Sequence, residues 1–166
     1  LGWQWVNLLS KFLYKGNKMD RRKFMSLSMV AAAVLPASLS AIDFRATKPD
    51  TWTAHTVADS IKALYGDIKP EEKGVKVKAP KVASNGGAIP VTVESDIAAK
   101  TVAVFQDANP EATVCVFDVQ EGGIVDYMMK IKMKKSGTIT AIVEGTDGKF
   151  YVGNVTLEVA LGGCEG

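Results

Sequence analysis

Residues that commonly perform catalysis or hold metal ions are scarce in this sequence. Its 166 residues include one histidine and two cysteines. The chain has no glycine-rich phosphate loop, no cysteine and histidine spacing typical of a zinc site, and no obvious pair of catalytic carboxylates. From these motifs we predict no catalytic residue, no metal site and no cofactor. The hydrophobic fraction of 47% suffices for one folded domain with a core of useful size.

An export signal is predicted near the N-terminus. The stretch MDRRKFMSLSMVAAAVLPASLSA, residues 19–41, has paired arginines, Arg21 and Arg22, followed by an apolar run that ends in small residues. This order is typical of a signal peptide, and the paired arginines indicate the twin-arginine route. The apolar run is too short to cross a bilayer. We therefore expect a periplasmic protein that is not held in a membrane once the signal is removed.

The residues before this signal are interpreted as upstream sequence read through from an earlier start. Residues 1–18 do not begin with methionine; a short membrane helix is the alternative, but Lys11 and Lys15 interrupt its apolar run. Residues 1–41 hold six of the 20 basic and one of the 18 acidic side chains, so the rest of the chain has a net charge of about −3. This balance does not indicate a nucleic acid or an anionic membrane as partner.

One short amphipathic helix is predicted before the strands. Residues 42–56 are mixed and polar, which favours a leader strand or loop. Apolar residues then recur at helical spacing, namely Val57, Ile61 and Leu64. Thr56 and Asp59 could form a capping box at the start of this helix, and Gly66 is expected to end it.

Seven strands are predicted in the rest of the chain, because the apolar pattern changes from helical to alternating. They are VKVKAP, AIPVTVES, KTVAVFQ, ATVCVFDV, IVDYMMKIKM, GTITAIVEG and KFYVGNVTLEVAL. Glycine-containing turns separate several of them. The prediction is an all-β, immunoglobulin-like antiparallel sandwich with one short N-terminal helix, spanning residues 42–159. The Cys-Trp-Cys signature of antibody domains is absent, so the likeness concerns architecture alone.

The strand that begins at Val125 predicts one apolar and one charged face. Its inner face would hold Val125, Tyr127, Met129, Ile131 and Met133, and its outer face Asp126, Met128, Lys130, Lys132 and Lys134. The lysines are interpreted as a solvated face that discourages pairing between edge strands. The alternative is that they steer an anionic partner or substrate.

The C-terminal sequence LGGCEG is the strongest functional signal in the chain. Cys164 follows Gly162 and Gly163 and lies close to the final Gly166, where few side chains could pack around a buried thiol. We predict that residues 160–166 form a flexible tail that presents this thiol. An ordinary thiol pKa of about 8.5 leaves little thiolate at neutral pH, and Glu165 would raise that pKa slightly. Activation by a partner enzyme therefore suits a carrier better than a self-sufficient enzyme.

Other uses of the rare residues stay open at this stage. Cys115 shares a predicted strand face with Thr113 and Phe117, which favours a buried thiol, but a Cys115–Cys164 disulfide in an exported scaffold domain is an alternative. His55 and a cysteine could form a catalytic pair. An exported copper-binding sandwich could use soft ligands chosen from Met128, Met129, Met133, His55 and the two cysteines, although their spacing is not a metal motif.

The combination of features resembles the SoxY family, the sulfur-compound carrier subunits of the bacterial Sox thiosulfate-oxidation system. These features are the twin-arginine signal, the short helix, the seven-strand sandwich and the terminal GGC. The stretch VKVKAPKVASNGGAIPVTVES also looks like the first sandwich strands of that family and the turn between them. The resemblance covers the chain from about Met19, and the tail is its most specific part.

The resemblance implies a covalent carrier, not an enzyme, with Cys164 as the attachment site on a glycine-rich arm. A haem-containing partner would couple thiosulfate to the thiol, a hydrolase would release sulfate, and a sulfur dehydrogenase would act on the remaining sulfur. A SoxZ-like subunit would form a heterodimer with the carrier. The chain departs from the usual ending, a cysteine with two glycines on each side, because Glu165 follows Cys164. It also has Cys115, to which the resemblance assigns no function.

Overall fold

The computed structural model describes residues 42–160. Within this range, three short helices precede eight strands. The helices are α1 (Phe44–Thr47), α2 (Asp50–Thr53) and α3 (Val57–Tyr65). The strands are β1 (Val75–Lys78), β2 (Val82–Ala83), β3 (Ile89–Ser95), β4 (Ala99–Gln106), β5 (Thr113–Asp118), β6 (Val125–Ile131), β7 (Gly137–Gly145) and β8 (Phe150–Val159). None of these helices is long and apolar enough to cross a membrane.

The strands form two sheets that pack face to face. One sheet has the order β1-β3-β6 and the other the order β2-β8-β7-β4-β5. All pairings are antiparallel except the short pairing of β2 with β8. The core between the sheets includes fully buried aliphatic residues of both, namely Ile89, Val91, Val93, Val102, Val104, Ile139, Ala141 and Val143. The predicted all-β sandwich is confirmed, and β2 is an additional strand that was not predicted.

A helical layer covers the outer face of the five-stranded sheet. Leu64 of α3 packs with Phe105 of β4 and Ile142 of β7 in a second hydrophobic cluster. Because both faces of β4 are covered, this strand is buried almost continuously and does not alternate. The predicted ends of α3 are confirmed: the Thr56 hydroxyl accepts a hydrogen bond from the Asp59 N–H, and Gly66 follows the helix with a φ of 81°.

The leader strand or loop predicted for residues 42–56 is wrong, since α1 and α2 lie there. Local capping explains the helical turn of α1, because the Asp43 carboxylate accepts hydrogen bonds from the N–H groups of Arg45 and Ala46. The Trp52 indole of α2 donates to the carbonyl of Phe44 and so joins the two helices. Such short capped turns have too few apolar residues to produce a periodic pattern in the sequence.

A bulge in β5 corrects the predicted facing of its side chains. The register between β4 and β5 shifts at Val104 and Phe105, so that Cys115 lies opposite Val104 while Thr113 lies opposite Phe105. The Thr113 hydroxyl accordingly donates to the carbonyl of Thr51 on the helical side. Cys115 and Phe117 instead pack against the core between the sheets. Thr113 therefore does not share a face with Cys115, because a bulge interrupts the alternation on which that prediction depended.

Gly153 of β8 lies where β1 approaches most closely. A Cβ at this position would lie 2.6 Å from the carbonyl oxygen of Val75. We expect Gly153→Ala to lower the free energy of unfolding by about 1–3 kcal/mol, because the backbone of β1 must shift. At an unobstructed position the same change would instead stabilise by about 0.4–1 kcal/mol.

Urea unfolding of Gly153→Ala checks this expectation. Asn154→Ala is the matched control, since Asn154 is the next residue of β8 and is exposed. Its free energy of unfolding should stay within about 0.5 kcal/mol of the parent. A stabilised Gly153→Ala protein would show that β1 does not approach β8 this closely.

Candidate functional site

The predicted tail residues Gly162, Gly163, Cys164 and Gly166 lie outside the described residues, but the structure describes the point from which the tail begins. The last residues of β8 are held by neighbouring segments. Ala160 N–H donates to the carbonyl of Ala83 at 2.9 Å, and Glu158 N–H donates to the carbonyl of Lys81 at 2.9 Å. The N–H of Val159 donates to the Ser136 hydroxyl at 2.9 Å. The base of the tail is therefore fixed on two sides.

The length of the tail limits where the thiol can act. Cys164 follows Ala160 by four residues. A fully extended chain spans at most about 3.6 Å per residue, so the Cα of Cys164 lies within about 14 Å of the Cα of Ala160. A partner that reacts with this thiol must therefore approach the end of the sandwich at which β8 ends.

Three loops form that end of the sandwich, which we call the tail end. They are residues 79–88, 107–112 and 132–136, and the strand register brings them together beside the last residues of β8. Asn109 joins two of them, because its amide nitrogen donates to the carbonyl of Lys132 and its amide oxygen accepts from the N–H of Lys134. The N–H of Met133 donates to the carbonyl of Gly86 and joins the third. The tail end is thus a connected surface.

A buried glutamine organises the loop between β4 and β5 at the tail end. The side-chain oxygen of Gln106 accepts hydrogen bonds from the N–H groups of Ala108 and Asn109, at 2.6 and 2.8 Å. Its side-chain nitrogen donates to the carbonyl of Glu111 at 2.7 Å. Gln106 is almost completely buried, so these bonds satisfy polar atoms that water cannot reach. They hold Asn109 in position to bind the loop that contains Lys132 and Lys134.

The tail end is rich in exposed lysines. Lys81 lies in the first loop, and Lys132, Lys134 and Lys135 lie in the third. The ion pairs found within residues 42–160 join other lysines, namely Lys62, Lys78 and Lys149, to carboxylates. The alternating pattern of the strand from Val125 included Lys132 and Lys134. It did not include Lys81 and Lys135, which are placed at the same end of the sandwich by the fold.

Cys115 occupies an apolar position between the sheets. Its Sγ atom lies 3.6 Å from the Sδ atom of Met129, and the ring of Phe117 packs on that of Tyr127 nearby along the same two strands. Burial raises the pKa of the Cys115 thiol to about 12, because the thiolate would lose its hydration. The side chain therefore stays protonated at neutral pH and is a poor nucleophile.

This burial predicts selective modification of the two cysteines. With a pKa of about 12, only about one Cys115 thiol in ten thousand is ionised at pH 8. We expect iodoacetamide at pH 8 to alkylate Cys164 at least about 100-fold faster than Cys115, and denaturant to remove the difference. Peptide mapping of a time course measures both rates. Comparable rates in the native protein would show that Cys115 is accessible and ionisable.

The other candidate ligands do not come together in the described part of the chain. The exposed ring of His55 donates from Nδ1 to the carbonyl of Pro110 at 2.9 Å. Met128 is 68% exposed on the outer face of β6, whereas Met133 is fully buried. Among residues 42–160, no group of three or more histidine, cysteine, aspartate or glutamate side chains could hold a metal ion. The structure pairs Cys115 with Met129 and not with His55.

A cleft of about 860 Å³ lies at the opposite end of the sandwich. Its lining includes Ile97, Val119 and Ile124 together with the charged residues Lys100 and Glu121. Among residues 42–160, the candidates Cys115, His55, Met128, Met129 and Met133 are not part of this lining. The cleft is therefore separate from the place at which the tail begins.

Comparison with known proteins connects this architecture to one family. The model of the family described as sulfur oxidation protein SoxY matches residues 61–164, which is more than half of the chain. The structure of the sulfur carrier protein SoxY from Chlorobium limicola f thiosulfatophilum is 30% identical, with a TM-score of 0.57, over 70% of this chain and 95% of that one.

A superoxide reductase (neelaredoxin) from Ignicoccus hospitalis is also similar, but more weakly. It is 16% identical, with a TM-score of 0.47, over 52% of this chain and 80% of that one. No curated protein sequence matches the chain. Since the family model extends from α3 through the whole sandwich to the tail cysteine, the chain belongs to the SoxY family of sulfur oxidation proteins.

Proposed function

We propose that this protein is a periplasmic sulfur carrier that holds thiosulfate-derived intermediates covalently on Cys164. The observation that carries the proposal is the extent of the family match, which includes the tail up to and including Cys164. The similarity to a solved sulfur carrier protein over 95% of that protein's length supports the same role. Cys164 is the attachment site, and the chain itself catalyses no step.

Loading of the carrier forms a disulfide bond to the outer sulfur of thiosulfate. The Cys164 thiol loses its proton to solvent, and its sulfur bonds to the sulfane sulfur of thiosulfate. Two electrons leave this pair and pass to the haem-containing partner, which is the oxidant. The product is a cysteine S-thiosulfonate with one negative charge. Water then cleaves the bond to the sulfone sulfur in the hydrolase, which releases sulfate and leaves a persulfide on Cys164.

The tail acts as a short arm on a fixed base. Gly162, Gly163 and Gly166 reduce the side-chain bulk on either side of the thiol, which lets the arm enter a narrow channel in a partner. The hydrogen bonds of Glu158, Val159 and Ala160 support this role, because a firmly held base restricts the arm to the tail end. Cys164 would therefore meet each partner within about 14 Å of Ala160, the distance that four extended residues can span.

The chemistry of the two cysteines supports a division of roles. Burial keeps Cys115 protonated between the sheets, so it does not compete with Cys164 for thiosulfate. The ring nitrogen Nδ1 of His55 is engaged by the carbonyl of Pro110. Activation of the Cys164 thiol is therefore assigned to the partner enzymes, as expected for a substrate carrier.

Export and assembly follow from the same proposal. Residues 19–41 direct the protein to the periplasm by the twin-arginine route, which transports folded proteins and so suits a complex assembled beforehand. The partner in that complex is a SoxZ-like subunit. The thiosulfate-coupling haem protein, the sulfate-releasing hydrolase and a sulfur dehydrogenase then visit the tail end in turn.

Adduct mapping tests the proposal. The purified heterodimer is incubated with thiosulfate and the oxidised haem partner, digested without reductant and analysed by mass spectrometry. We expect the peptide that contains Cys164 to gain the mass of one thiosulfate group, bonded to the cysteine through its sulfane sulfur. A sample without the oxidising partner is the control. An unmodified Cys164 peptide after turnover, or an adduct on Cys115, would contradict the proposal.

A further inference from the structure

Four lysines lie in the two segments that hold the base of the tail, one segment on each side of β8. Lys132, Lys134 and Lys135 lie in the loop whose Ser136 hydroxyl accepts a hydrogen bond from Val159. The backbone of Lys81 accepts a hydrogen bond from Glu158, on the edge of the sheet where β8 ends. We call these four exposed residues the basic patch.

The backbone of the basic patch is held in place. Asn109 binds the carbonyl of Lys132 and the N–H of Lys134, and the buried amide of Gln106 in turn fixes Asn109. Met133, between these two lysines, is fully buried, so the loop cannot lift away without exposing it. The lysine side chains can therefore rotate, but the backbone that holds them stays in place.

Among residues 42–160, lysines outnumber carboxylates at the tail end, and their charges are not neutralised by ion pairs. In the described part of the chain, none of the four lysines has a carboxylate within ion-pair distance. Three acidic residues, Asp107, Glu111 and Glu158, also lie in the loops of the tail end or in the last residues of β8, and the Asp107 carboxylate accepts a hydrogen bond from the N–H of Thr138. The chain after residue 41 is acidic overall, so four unpaired lysines beside the tail stand out against that background.

We propose that the basic patch attracts sulfur oxyanions to Cys164 and holds the negative end of the cargo once it is attached. This inference rests on the proposed carrier function and adds the residues that favour an anionic sulfur compound. The patch also offsets Glu165, whose negative charge next to the thiol would otherwise repel such compounds. The patch lies within the reach of the arm, since its loops flank Ala160 and its neighbours in β8.

Tetrathionate provides a probe that needs no partner enzyme. The Cys164 thiolate attacks an inner sulfur of tetrathionate, the central sulfur–sulfur bond breaks, and thiosulfate leaves with the electron pair of that bond. The product is the same cysteine S-thiosulfonate that loading by a partner would form. Dithiodipyridine, a neutral disulfide, reacts with the same thiolate by the same type of exchange. The ratio of the two rates therefore removes any effect of thiol ionisation.

The test compares a patch variant with a matched charge control, using the folded chain. The patch variant is Lys132→Gln, Lys134→Gln and Lys135→Gln, and the control is Lys69→Gln, Lys73→Gln and Lys100→Gln, which are exposed elsewhere. We expect the patch variant to lower the ratio of tetrathionate to dithiodipyridine rates by about 3- to 10-fold at low ionic strength. The control should leave the ratio unchanged, and added salt should remove the difference.

Three results would overturn the inference. An unchanged ratio in the patch variant would show that the lysines do not act on anions near Cys164. An equal loss in the control variant would assign the effect to net charge. An unchanged ratio combined with slower loading by the haem partner would assign the lysines to binding of that protein. Each of these results leaves the carrier function intact, because that function fails only if no adduct forms on Cys164.

Discussion

Replacing Cys164 with serine should abolish thiosulfate-dependent turnover by the reconstituted Sox proteins. A serine hydroxyl cannot form a sulfur–sulfur bond with thiosulfate, so no intermediate can be held. The expected loss is complete, to the rate without any carrier, because the partners would act only on carrier-bound sulfur. Electron transfer from thiosulfate to the haem partner and sulfate release are measured in parallel.

Cys115→Ala is the matched control for this substitution. Cys115 is half-buried against Met129 with its thiol pKa raised to about 12, and it takes no part in the proposed chemistry. The variant should keep the turnover rate of the parent within about twofold, since loss of one half-buried sulfur affects packing and not the tail. Turnover that survives Cys164→Ser but is lost in Cys115→Ala would reverse the assignment of the two thiols.

Replacing Phe105 with alanine should produce the largest loss of stability among single changes in the hydrophobic cluster between α3 and the five-stranded sheet. Phe105 is fully buried between the five-stranded sheet and α3, where it packs with Leu64 and Ile142. We expect the free energy of unfolding to fall by about 3–5 kcal/mol, which combines the lost burial of the ring with the cavity left behind. Urea unfolding followed by circular dichroism measures it.

An exposed residue gives the control for Phe105. Met128 is 68% exposed on the outer face of β6, so Met128→Ala should change the free energy of unfolding by no more than about 0.5 kcal/mol. A loss below about 1 kcal/mol for Phe105→Ala would mean that α3 does not cover this face of the sheet in solution. An effect of similar size in both variants would contradict the burial pattern.

The main strands could be predicted from the sequence, because their apolar residues alternate or because turn residues mark where they end. The strand from Val125 shows this best, since its two predicted faces match the buried and exposed sides found in β6. The two-residue strand β2 could not be predicted, because it exists only by pairing with the end of β8. The helices α1 and α2 depend on single capping residues such as Asp43, which a periodic pattern does not detect.

The residues of the candidate site also differ in this respect: some can be predicted from the local sequence, and others only from the fold. The prediction for Cys164 depends on the tail alone, because its glycine neighbours and its position are features of the linear sequence. The basic patch could not be predicted in that way, since Lys81 and Lys135 are far apart in the chain and are brought together by β8 and the loop with Ser136. Gln106 gave no signal at all, because its importance depends on burial and on three hydrogen bonds.

A transfer experiment tests most directly whether the protein carries sulfur between enzymes. The carrier is loaded with radiolabelled thiosulfate by the haem partner, separated from that partner and from free thiosulfate, and then mixed with the sulfate-releasing hydrolase alone. If Cys164 holds the cargo, labelled sulfate appears in a one-to-one ratio with loaded carrier, and the remaining sulfur stays on the Cys164 peptide. Release of sulfate only when the haem partner and free thiosulfate are both present would contradict a carrier role.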